Sequence, residues 1–232
     1  FSGYSFNEIL MFKDLISNNF SEKHFIIFGA NKLDRLSGKY YNSMFIVNKD
    51  LEIIQSYNKR RLVPFGEFLP FEKLFNNFGF KKITEGQGSF LRGYENKNLS
   101  LGKLSILPLI CYEVIFTELL QKSDLSTNLI VNISEDGWFG KSIGPDQHFA
   151  KSIFRAIENN SFFLRSANKG VSAIIDNKGN IIKQLNRNEA GSIEFDVPLI
   201  KSNKIKNDLI FFILLITYLL IFFIYRKKNA KQ

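Results

Sequence analysis

The sequence predicts an α/β domain of layered strands and helices over residues 1–200, followed by one transmembrane helix. Short apolar runs with strand character alternate with segments of helical period, which is the first supporting observation. The second is composition, because 45% of the residues are hydrophobic and 23% are charged, which excludes wholesale disorder. The third is a long uncharged apolar run near the C-terminus. At 232 residues, the chain can form one domain with a substantial core.

Short apolar runs bounded by turn residues predict strands, and apolar residues at helical spacing predict helices. The predicted strands are His24–Ala30, Tyr40–Val47, Leu51–Tyr57, Leu104–Cys111, Asn128–Ile133, Phe162–Ser166, Val171–Asp176 and Ile181–Leu185. The predicted helices are Phe71–Phe78, Val114–Lys122 and Gln147–Asn159. The second and third strands should form a hairpin that turns at residues 48–50, and Ala190–Val197 is expected to close the domain.

The run Leu209–Tyr225 carries no charged residue. As a helix it is just long enough to cross a hydrocarbon layer of roughly 30 Å. A buried core helix is the alternative, although core helices seldom lack a polar face over this length. We therefore expect a linker at 201–207, a transmembrane helix at 208–225 and a basic tail at 226–232. The positive-inside rule predicts that this tail is cytoplasmic and that the preceding domain lies across the membrane.

The net charge of +9 suits either nucleic acid or an anionic membrane surface. The basic residues are scattered and form no stripe interleaved with aromatic residues, so no nucleic-acid partner is predicted. His24 and His148 are far apart in the sequence, and there is no cluster of cysteine and histidine residues of the kind that binds structural zinc. Neither a metal nor a cofactor is predicted.

Cys111, the only cysteine, is the candidate nucleophile. It lies between a predicted strand and the predicted helix that begins at Val114, so its thiol would lie at a helix N-terminus, where the helix dipole favours the thiolate. The thiolate is the reactive form, and this position suits covalent catalysis. The alternative is a small buried hydrophobic side chain, since free cysteine is among the most buried residue types.

Two other segments carry groups that could serve the thiol. Lys59 and Glu67 lie in the proline-stiffened segment 59–70, where partial desolvation would prepare both for proton transfer or for contact with an oxyanion. Taken alone, each is more often a surface charge. Trp138 lies in a glycine-bounded turn and could line a pocket or simply pack. His148 could be a base, but we expect it to be structural.

In this order, the segments resemble those of the nitrilase, or carbon–nitrogen hydrolase, superfamily and, more narrowly, the apolipoprotein N-acyltransferase family. The resemblance covers most of residues 25–197, and it implies a sandwich of α-β-β-α layers. The apolar helix fits it as well. Five stretches carry most of the resemblance: KRRLVPFGEFLP at 59–70, ICYE at 110–113, NISEDGWFG at 132–140, SIGP at 142–145 and RSANKGVSA at 165–173. The pair QH at 147–148 adds to them.

This family uses a Glu-Lys-Cys triad, and the resemblance implies a role for each matching residue. The implied catalytic residues are Cys111 as nucleophile, Lys59 as triad lysine, and Glu67 and Glu113 as further glutamates. Tyr112 and Trp138 are implied as oxyanion or pocket residues. The triad's first glutamate belongs to a Trp-Pro-Glu-like motif that the sequence does not contain, and Glu8 does not match it. We therefore expect that glutamate upstream of Phe1, together with further membrane helices.

The resemblance implies an enzyme of the bacterial inner membrane whose catalytic domain faces the periplasm. Its partners would be a phospholipid acyl donor, a diacylglyceryl apolipoprotein acceptor and the lipid bilayer. Four loop phenylalanines, at positions 65, 68, 71 and 75, could dip into the bilayer or belong to ordinary packing. Two alternatives remain open: a membrane-tethered nitrilase-type amidase that uses water as acceptor, and a non-catalytic binding module that lacks the triad base.

Overall fold

The structure is a computed structural model that describes residues 3–70, 89–95, 98–121, 127–200 and 208–229. The chain divides into two compact units, residues 1–202 and 203–232. The predicted linker, 201–207, and the predicted helix Phe71–Phe78 lie outside the described residues.

The first sheet contains three antiparallel strands in the order β1-β2-β3. These are β1 (Ile26–Leu33), β2 (Tyr40–Val47) and β3 (Ile53–Asn58). The predicted hairpin between β2 and β3 is confirmed. The Asn48 side chain stabilises its turn, because its Oδ1 accepts hydrogen bonds from the backbone amides of Asp50 and Glu52 at 3.0 and 2.9 Å.

The second sheet contains six strands in the order β4-β5-β6-β7-β8-β9. They are β4 (Leu99–Leu101), β5 (Leu104–Ile110), β6 (Leu129–Glu135), β7 (Phe162–Asn168), β8 (Ser172–Ile175) and β9 (Ile181–Leu185). The strands β5, β6 and β7 are parallel, and the outer pairs are antiparallel. Because the carboxyl ends of parallel strands lie at one edge of a sheet, the segments that follow β5 and β6 begin side by side.

Helices cover the outer faces of both sheets. The N-terminal helices are α1 (Phe6–Ile9), a 3₁₀ turn at Leu10–Phe12 and α2 (Lys13–Asn19). The later helices are α3 (Thr117–Gln121) and α4 (Gly144–Asn159).

The predicted helix Val114–Lys122 is wrong in its first part. A 3₁₀ helix over Cys111–Ile115 replaces it, Phe116 is extended, and α3 follows. At this turn the Glu113 carboxylate reaches back and accepts a hydrogen bond from the backbone amide of Ile110. The segment 190–197 has no regular secondary structure, although Ile193 and Val197 pack against the core between the sheets.

Three hydrophobic clusters define the layers. One joins α1 and α2 to the outer face of the first sheet and includes Ile9, Ile16, Phe28 and Phe45. The second lies between the two sheets and includes Met44, Ile46, Ile106 and Val131. The third joins the outer face of the second sheet to α3 and α4 and includes Leu107, Leu119, Ala156 and Phe163. This arrangement confirms the predicted α-β-β-α layers.

The second unit contains the helix α5 (Asp208–Asn229), which has 22 residues and a length of about 33 Å. It continues four residues beyond the predicted end at Tyr225, so the start of the basic tail is helical. Thr217, its polar residue near mid-length, donates its hydroxyl proton to the Ile213 carbonyl at 2.8 Å, as hydroxyls in apolar surroundings must find an acceptor. Its stretch Ile210–Lys227 is long and apolar enough to cross a membrane.

Candidate active site

Cys111 occupies a strained turn at the carboxyl end of β5. Its φ angle is +49°, in the left-handed region that costs an L residue about 1–2 kcal/mol. The side chain is partly buried. The expected position at a helix N-terminus is found only as the start of a five-residue 3₁₀ helix, so the sharp turn, rather than a long helix dipole, is what distinguishes this thiol.

The carboxylate of Glu113, two residues later, is completely buried and accepts four hydrogen bonds. Its Oε1 accepts from the Tyr57 hydroxyl at 2.8 Å and from the backbone amides of Arg60 and Arg61 at 2.7 and 3.1 Å. Its Oε2 accepts from the backbone amide of Ile110 at 2.9 Å. Glu113 therefore joins the turn that carries the thiol to the segment that begins at Lys59.

The charge balance around Glu113 depends on the same contacts. Burial raises the pKa of the Glu113 carboxyl above its usual value, and the Lys59 charge and the hydrogen bonds from Ile110, Tyr57 and Arg60 offset part of that rise. Burial, together with the Glu113 charge, raises the pKa of Tyr57 well above its usual value. Tyr57 therefore stays protonated, and its hydroxyl donates a hydrogen bond to the Glu113 carboxylate.

Lys59 and Glu67 form a buried ion pair. Lys59 is 1% exposed, and its Nζ lies 2.9 Å from Glu67 Oε1 and 2.8 Å from Oε2. Glu67 also accepts hydrogen bonds from the Asn42 side chain at 2.7 Å and from the Val63 backbone amide at 2.8 Å. The burial of Lys59 and the partial burial of Glu67 agree with the expected partial desolvation, and neither group is a free surface charge.

The backbone around Lys59 is fixed on two sides. Its amide donates to the Asn42 carbonyl and its carbonyl accepts from the Gly93 amide, each at 2.8 Å. Gly93 permits this approach because a Cβ there would lie 2.1 Å from the Asn58 carbonyl oxygen. The ammonium group is thus held by rigid neighbours rather than by a flexible loop.

A second buried polar cluster lies beneath Cys111. His148, on the first turns of α4, places its Nε2 3.1 Å from the Cys111 carbonyl oxygen and its Nδ1 3.0 Å from Asp136 Oδ1. Asp136 Oδ1 also accepts from the Ser134 hydroxyl at 2.6 Å. Arg165 Nη2 lies 2.6 Å from Asp136 Oδ2 and 3.1 Å from His148 Nδ1. A chain of polar contacts therefore links β7, the turn after β6 and α4 to the Cys111 carbonyl.

Asp136 is ionised throughout the neutral range. Burial alone would raise its pKa, but the hydrogen bond from His148, the charge of Arg165 and the Ser134 hydroxyl outweigh burial and lower the pKa of Asp136 to about 2.

Sequence reasoning gave no role to Tyr57, Asn132, Asp136 or Arg165. Asn132 accepts a hydrogen bond from Arg165 and donates one to the Leu109 carbonyl at 3.0 Å, so it ties this cluster to β5. For Asn132, Asp136 and Arg165 the available signal was their place in the segments 132–140 and 165–173, where polar residues lie within or directly after otherwise apolar strands. For His148, the expectation of a structural residue omitted its contact with the Cys111 carbonyl.

The remaining predicted residues are placed as follows. Tyr112 is partly buried, and its ring packs edge-to-face with the Phe116 ring, with the two ring centres 5.2 Å apart. Trp138 lies in the 3₁₀ turn after β6 and is 61% exposed. Glu8 is exposed, and its carboxylate caps α1 by accepting hydrogen bonds from the Ser5 amide and hydroxyl at 2.6 and 2.7 Å. This capping role explains the presence of a carboxylate at position 8. Phe65 is 43% exposed on the 59–70 loop.

Known proteins resemble this chain in sequence and in fold. The carbon–nitrogen hydrolase family model matches residues 18–206. Apolipoprotein N-acyltransferase of Rhizobium leguminosarum bv. trifolii is 37% identical over 187 residues, which is 78% of this chain and 35% of that protein. The enzymes of that name from Rhodopseudomonas palustris and Rickettsia typhi are each 42% identical over 68% of this chain, and the alignments cover 30% and 32% of those proteins. The chain thus spans about a third of the length of these relatives.

Solved structures share the fold at lower identity. An amidase from Nesterenkonia sp. AN1, whose active-site cysteine had undergone Michael addition with acrylamide, matches with a TM-score of 0.55 and 15% identity over 82% of this chain and 70% of its own. A nitrilase-superfamily member from Saccharomyces cerevisiae matches with a TM-score of 0.55 and 18% identity over 81% of this chain and 69% of its own. With the four-layer sandwich and a family match over residues 18–206, the chain belongs to the carbon–nitrogen hydrolase family.

Proposed function

We propose that this chain carries the acyl-transfer site of an apolipoprotein N-acyltransferase. The observation that supports this most is the connection between Cys111 and Lys59. Glu113 accepts hydrogen bonds from the backbone amides of Ile110, which precedes Cys111, and of Arg60, which follows the buried Lys59. The curated relatives are named apolipoprotein N-acyltransferase. The membrane-length helix α5 is consistent with a lipid substrate.

In the first step, the Cys111 thiolate attacks the carbonyl carbon of a phospholipid acyl ester. A free thiol is largely protonated at neutral pH, so a general base must remove its proton, a step that the resemblance assigns to the glutamate of the family's Glu-Lys-Cys triad. The carbon–oxygen ester bond then breaks, and the lysophospholipid alkoxide leaves with a proton. The acyl group remains on Cys111 as a thioester.

In the second step, the α-amine of the diacylglyceryl cysteine at the apolipoprotein N-terminus attacks the thioester. The carbon–sulfur bond breaks, an amide forms, and the amine proton returns the thiol to its starting state. Two half-reactions that share a covalent intermediate predict ping-pong kinetics.

Both steps develop negative charge on the acyl oxygen. The Lys59 ammonium and the backbone amide of Tyr112 would stabilise that oxyanion, and losing one such donor typically costs about 3 kcal/mol of barrier. Glu67 holds the ammonium in place by binding it with both carboxylate oxygens. Glu113 holds the two chain segments together. Trp138 would line the entrance to the site.

The substrates place this reaction at a membrane surface. We propose that α5 spans the bacterial inner membrane and that residues 1–200 face the periplasm, with the basic tail in the cytoplasm. Because Cys111 is the only cysteine, a membrane-impermeant maleimide applied to intact spheroplasts tests this directly. Labelling of Cys111 before lysis supports the orientation, and labelling only after lysis contradicts it.

Transfer of label from phospholipid tests the function. The protein in proteoliposomes receives phospholipid with a radiolabelled acyl chain and a diacylglyceryl lipopeptide with a free amine. We expect label on the lipopeptide and a labelled thioester on the protein, and C111S should show neither. Hydrolysis of a soluble amide without transfer of label would instead favour the membrane-tethered amidase. Absence of both reactions in the full-length protein would favour the non-catalytic binding module.

A further inference from the structure

The contact between His148 and Cys111 joins a side chain to the peptide group that follows the nucleophile. A carbonyl oxygen only accepts hydrogen bonds, so His148 Nε2 carries a hydrogen and donates a hydrogen bond to the Cys111 carbonyl oxygen at 3.1 Å. The same carbonyl belongs to the planar peptide unit that contains the Tyr112 amide. In a trans peptide unit the C=O and N–H bonds point in opposite directions, so fixing one fixes the other.

The histidine ring is itself held rigidly. His148 is 4% exposed, and its Nδ1 lies 3.0 Å from Asp136 Oδ1. Asp136 is 1% exposed and is held by Ser134 and Arg165. The Phe139 ring, with its centre 5.4 Å from that of the imidazole, packs against the ring as well. A buried ring with these contacts has one orientation available.

The Cys111 backbone needs such a contact. Its φ angle of +49° lies in a region that L residues rarely occupy, and surrounding structure must impose it. Glu113 fixes the turn at Ile110, before the thiol, through the backbone amide of that residue. His148 fixes it on the other side, at the Cys111 carbonyl.

We propose that His148 is a positioning residue that sets the orientation of the Cys111–Tyr112 peptide unit and thereby aims the Tyr112 N–H at the acyl oxyanion. The carbonyl points to the buried imidazole, so the amide points to the opposite side. The hydrogen bond to the carbonyl also polarises the peptide unit and makes its N–H a better donor. This inference rests on the proposed function for the role of the Tyr112 amide.

Two isosteric variants separate the hydrogen bond from the rest of the ring. In H148Q the side-chain amide nitrogen lies near the former Nε2 and still donates to the Cys111 carbonyl. In H148N the amide nitrogen lies near the former Nδ1 and does not reach it. The matched control is H24N, because His24 is exposed and is the only other histidine.

Two reactions of the sole cysteine report different things. Alkylation by iodoacetamide needs the thiolate but no oxyanion donor. Acylation by p-nitrophenyl butyrate needs both, because the thiolate displaces p-nitrophenolate through a tetrahedral oxyanion and leaves a butyryl thioester. Each is measured as a single-turnover rate on the whole chain in detergent, with near-UV circular dichroism as the check on folding.

We expect H148N to alkylate at nearly the wild-type rate and to be acylated at least roughly tenfold more slowly, since a missing oxyanion donor costs about 10²–10³. The loss should lie in the limiting acylation rate rather than in the ester concentration for half-saturation. H148Q should recover most of the acylation rate, and H24N should match wild type.

Several results would overturn the inference: equal losses in alkylation and acylation, no loss in H148N, no recovery in H148Q, or a wild-type thiol that alkylates but is not acylated by the ester. If H148N does not fold, D136N must show the same selective fall in the acylation rate. A D136N variant without that fall counts against the inference. Failure of the proposed function looks different: the ester acylates Cys111 in a His148-dependent way, but phospholipid label never reaches the lipopeptide.

Discussion

At Glu113, a single carboxylate replaces the solvent for four donors that come from three segments of chain. Tyr57 comes from β3, Arg60 and Arg61 follow it, and Ile110 ends β5. Buried polar groups are stable only when they are satisfied, and here every partner is a donor. The position therefore requires a group that accepts at both ends.

Glu113→Gln tests that requirement with almost no change in shape. A glutamine amide turns one acceptor into a donor, and whichever end carries the NH₂ group meets N–H or O–H donors. We expect a loss of about 2 kcal/mol in the free energy of unfolding and a strong fall in acylation of Cys111. Urea denaturation and the ester assay measure the two effects.

Glu118→Gln is the matched control for that substitution. Glu118 is partly exposed and pairs with Arg61 at 2.7 Å, and such surface pairs contribute at most about 1 kcal/mol. Equal destabilisation by E118Q and E113Q would contradict the structural role given to the buried carboxylate.

Asp136 supplies a pH dependence. Its pKa of about 2 in the folded chain lies below the ordinary aspartate value of about 3.8, so its ionised form stabilises the fold. This stabilisation is present above pH 4 and is lost as the pH falls toward 2, and it amounts to about 2 kcal/mol. We expect D136N to be less stable than wild type at pH 6 and the difference to narrow below pH 4.

Denaturation curves at a series of pH values measure the narrowing. Asp14→Asn, at an exposed position on α2, is the comparison and should show no such convergence. A constant difference between D136N and wild type from pH 6 to pH 2 would mean that the carboxylate is not stabilised by His148 and Arg165 as described.

At the scale of elements, the turn between β5 and the 3₁₀ helix carries backbone strain at Cys111. Glycine adopts a φ of +49° without steric cost, whereas alanine keeps the cost that cysteine has. We expect C111G to be more stable than C111A by about 1 kcal/mol, the reverse of the usual order in regular structure. Thermal unfolding of the two variants measures this, and a more stable alanine variant would show that the turn relaxes.

Several elements could be predicted because a local pattern determines them. Strands such as β2 and β5 are mostly apolar runs, and α4 has a clear helical period. The sequence does not predict β4, because three residues give too little pattern. It misplaces the helix after Cys111, where the Glu113 side chain accepts a hydrogen bond from the backbone amide of Ile110. Local propensity does not contain such a contact.

The candidate site divides in the same way. Cys111, Lys59 and Glu67 could be proposed from their residue types and their segments. The contact between Glu113 and the amides after Lys59 joins residues 53 positions apart, and that between His148 and Cys111 joins residues 37 positions apart. Such pairings depend on how the two sheets pack together and on the strand order within the second sheet, which the sequence pattern alone does not specify.

At the scale of the whole molecule, the chain combines a layered domain with a separate apolar helix. In α5 the side chains from Ile210 to Lys227 are exposed, which is costly in water and favourable in a lipid bilayer. A helix of this length and composition is better suited to a bilayer than to water.

Two arginines in the middle of α5 test this. Each arginine at the centre of a membrane helix costs about 3 kcal/mol, so we expect L215R combined with L219R to release the chain from membranes on carbonate extraction. The isosteric control, L215I with L219I, should remain bound. Cys111 alkylation should be equal in both, and retention of the double arginine variant in the membrane would contradict a spanning helix.

The way Glu113 makes its contacts bears on how the sequence can drift over evolutionary time. Three of its four partners are main-chain amides, at positions 60, 61 and 110. Nineteen of the twenty amino acids supply that amide, so this contact places no demand on side-chain identity at those positions and forbids proline alone. Any substitution at these three positions other than proline would therefore leave the hydrogen-bonding groups that Glu113 needs in place.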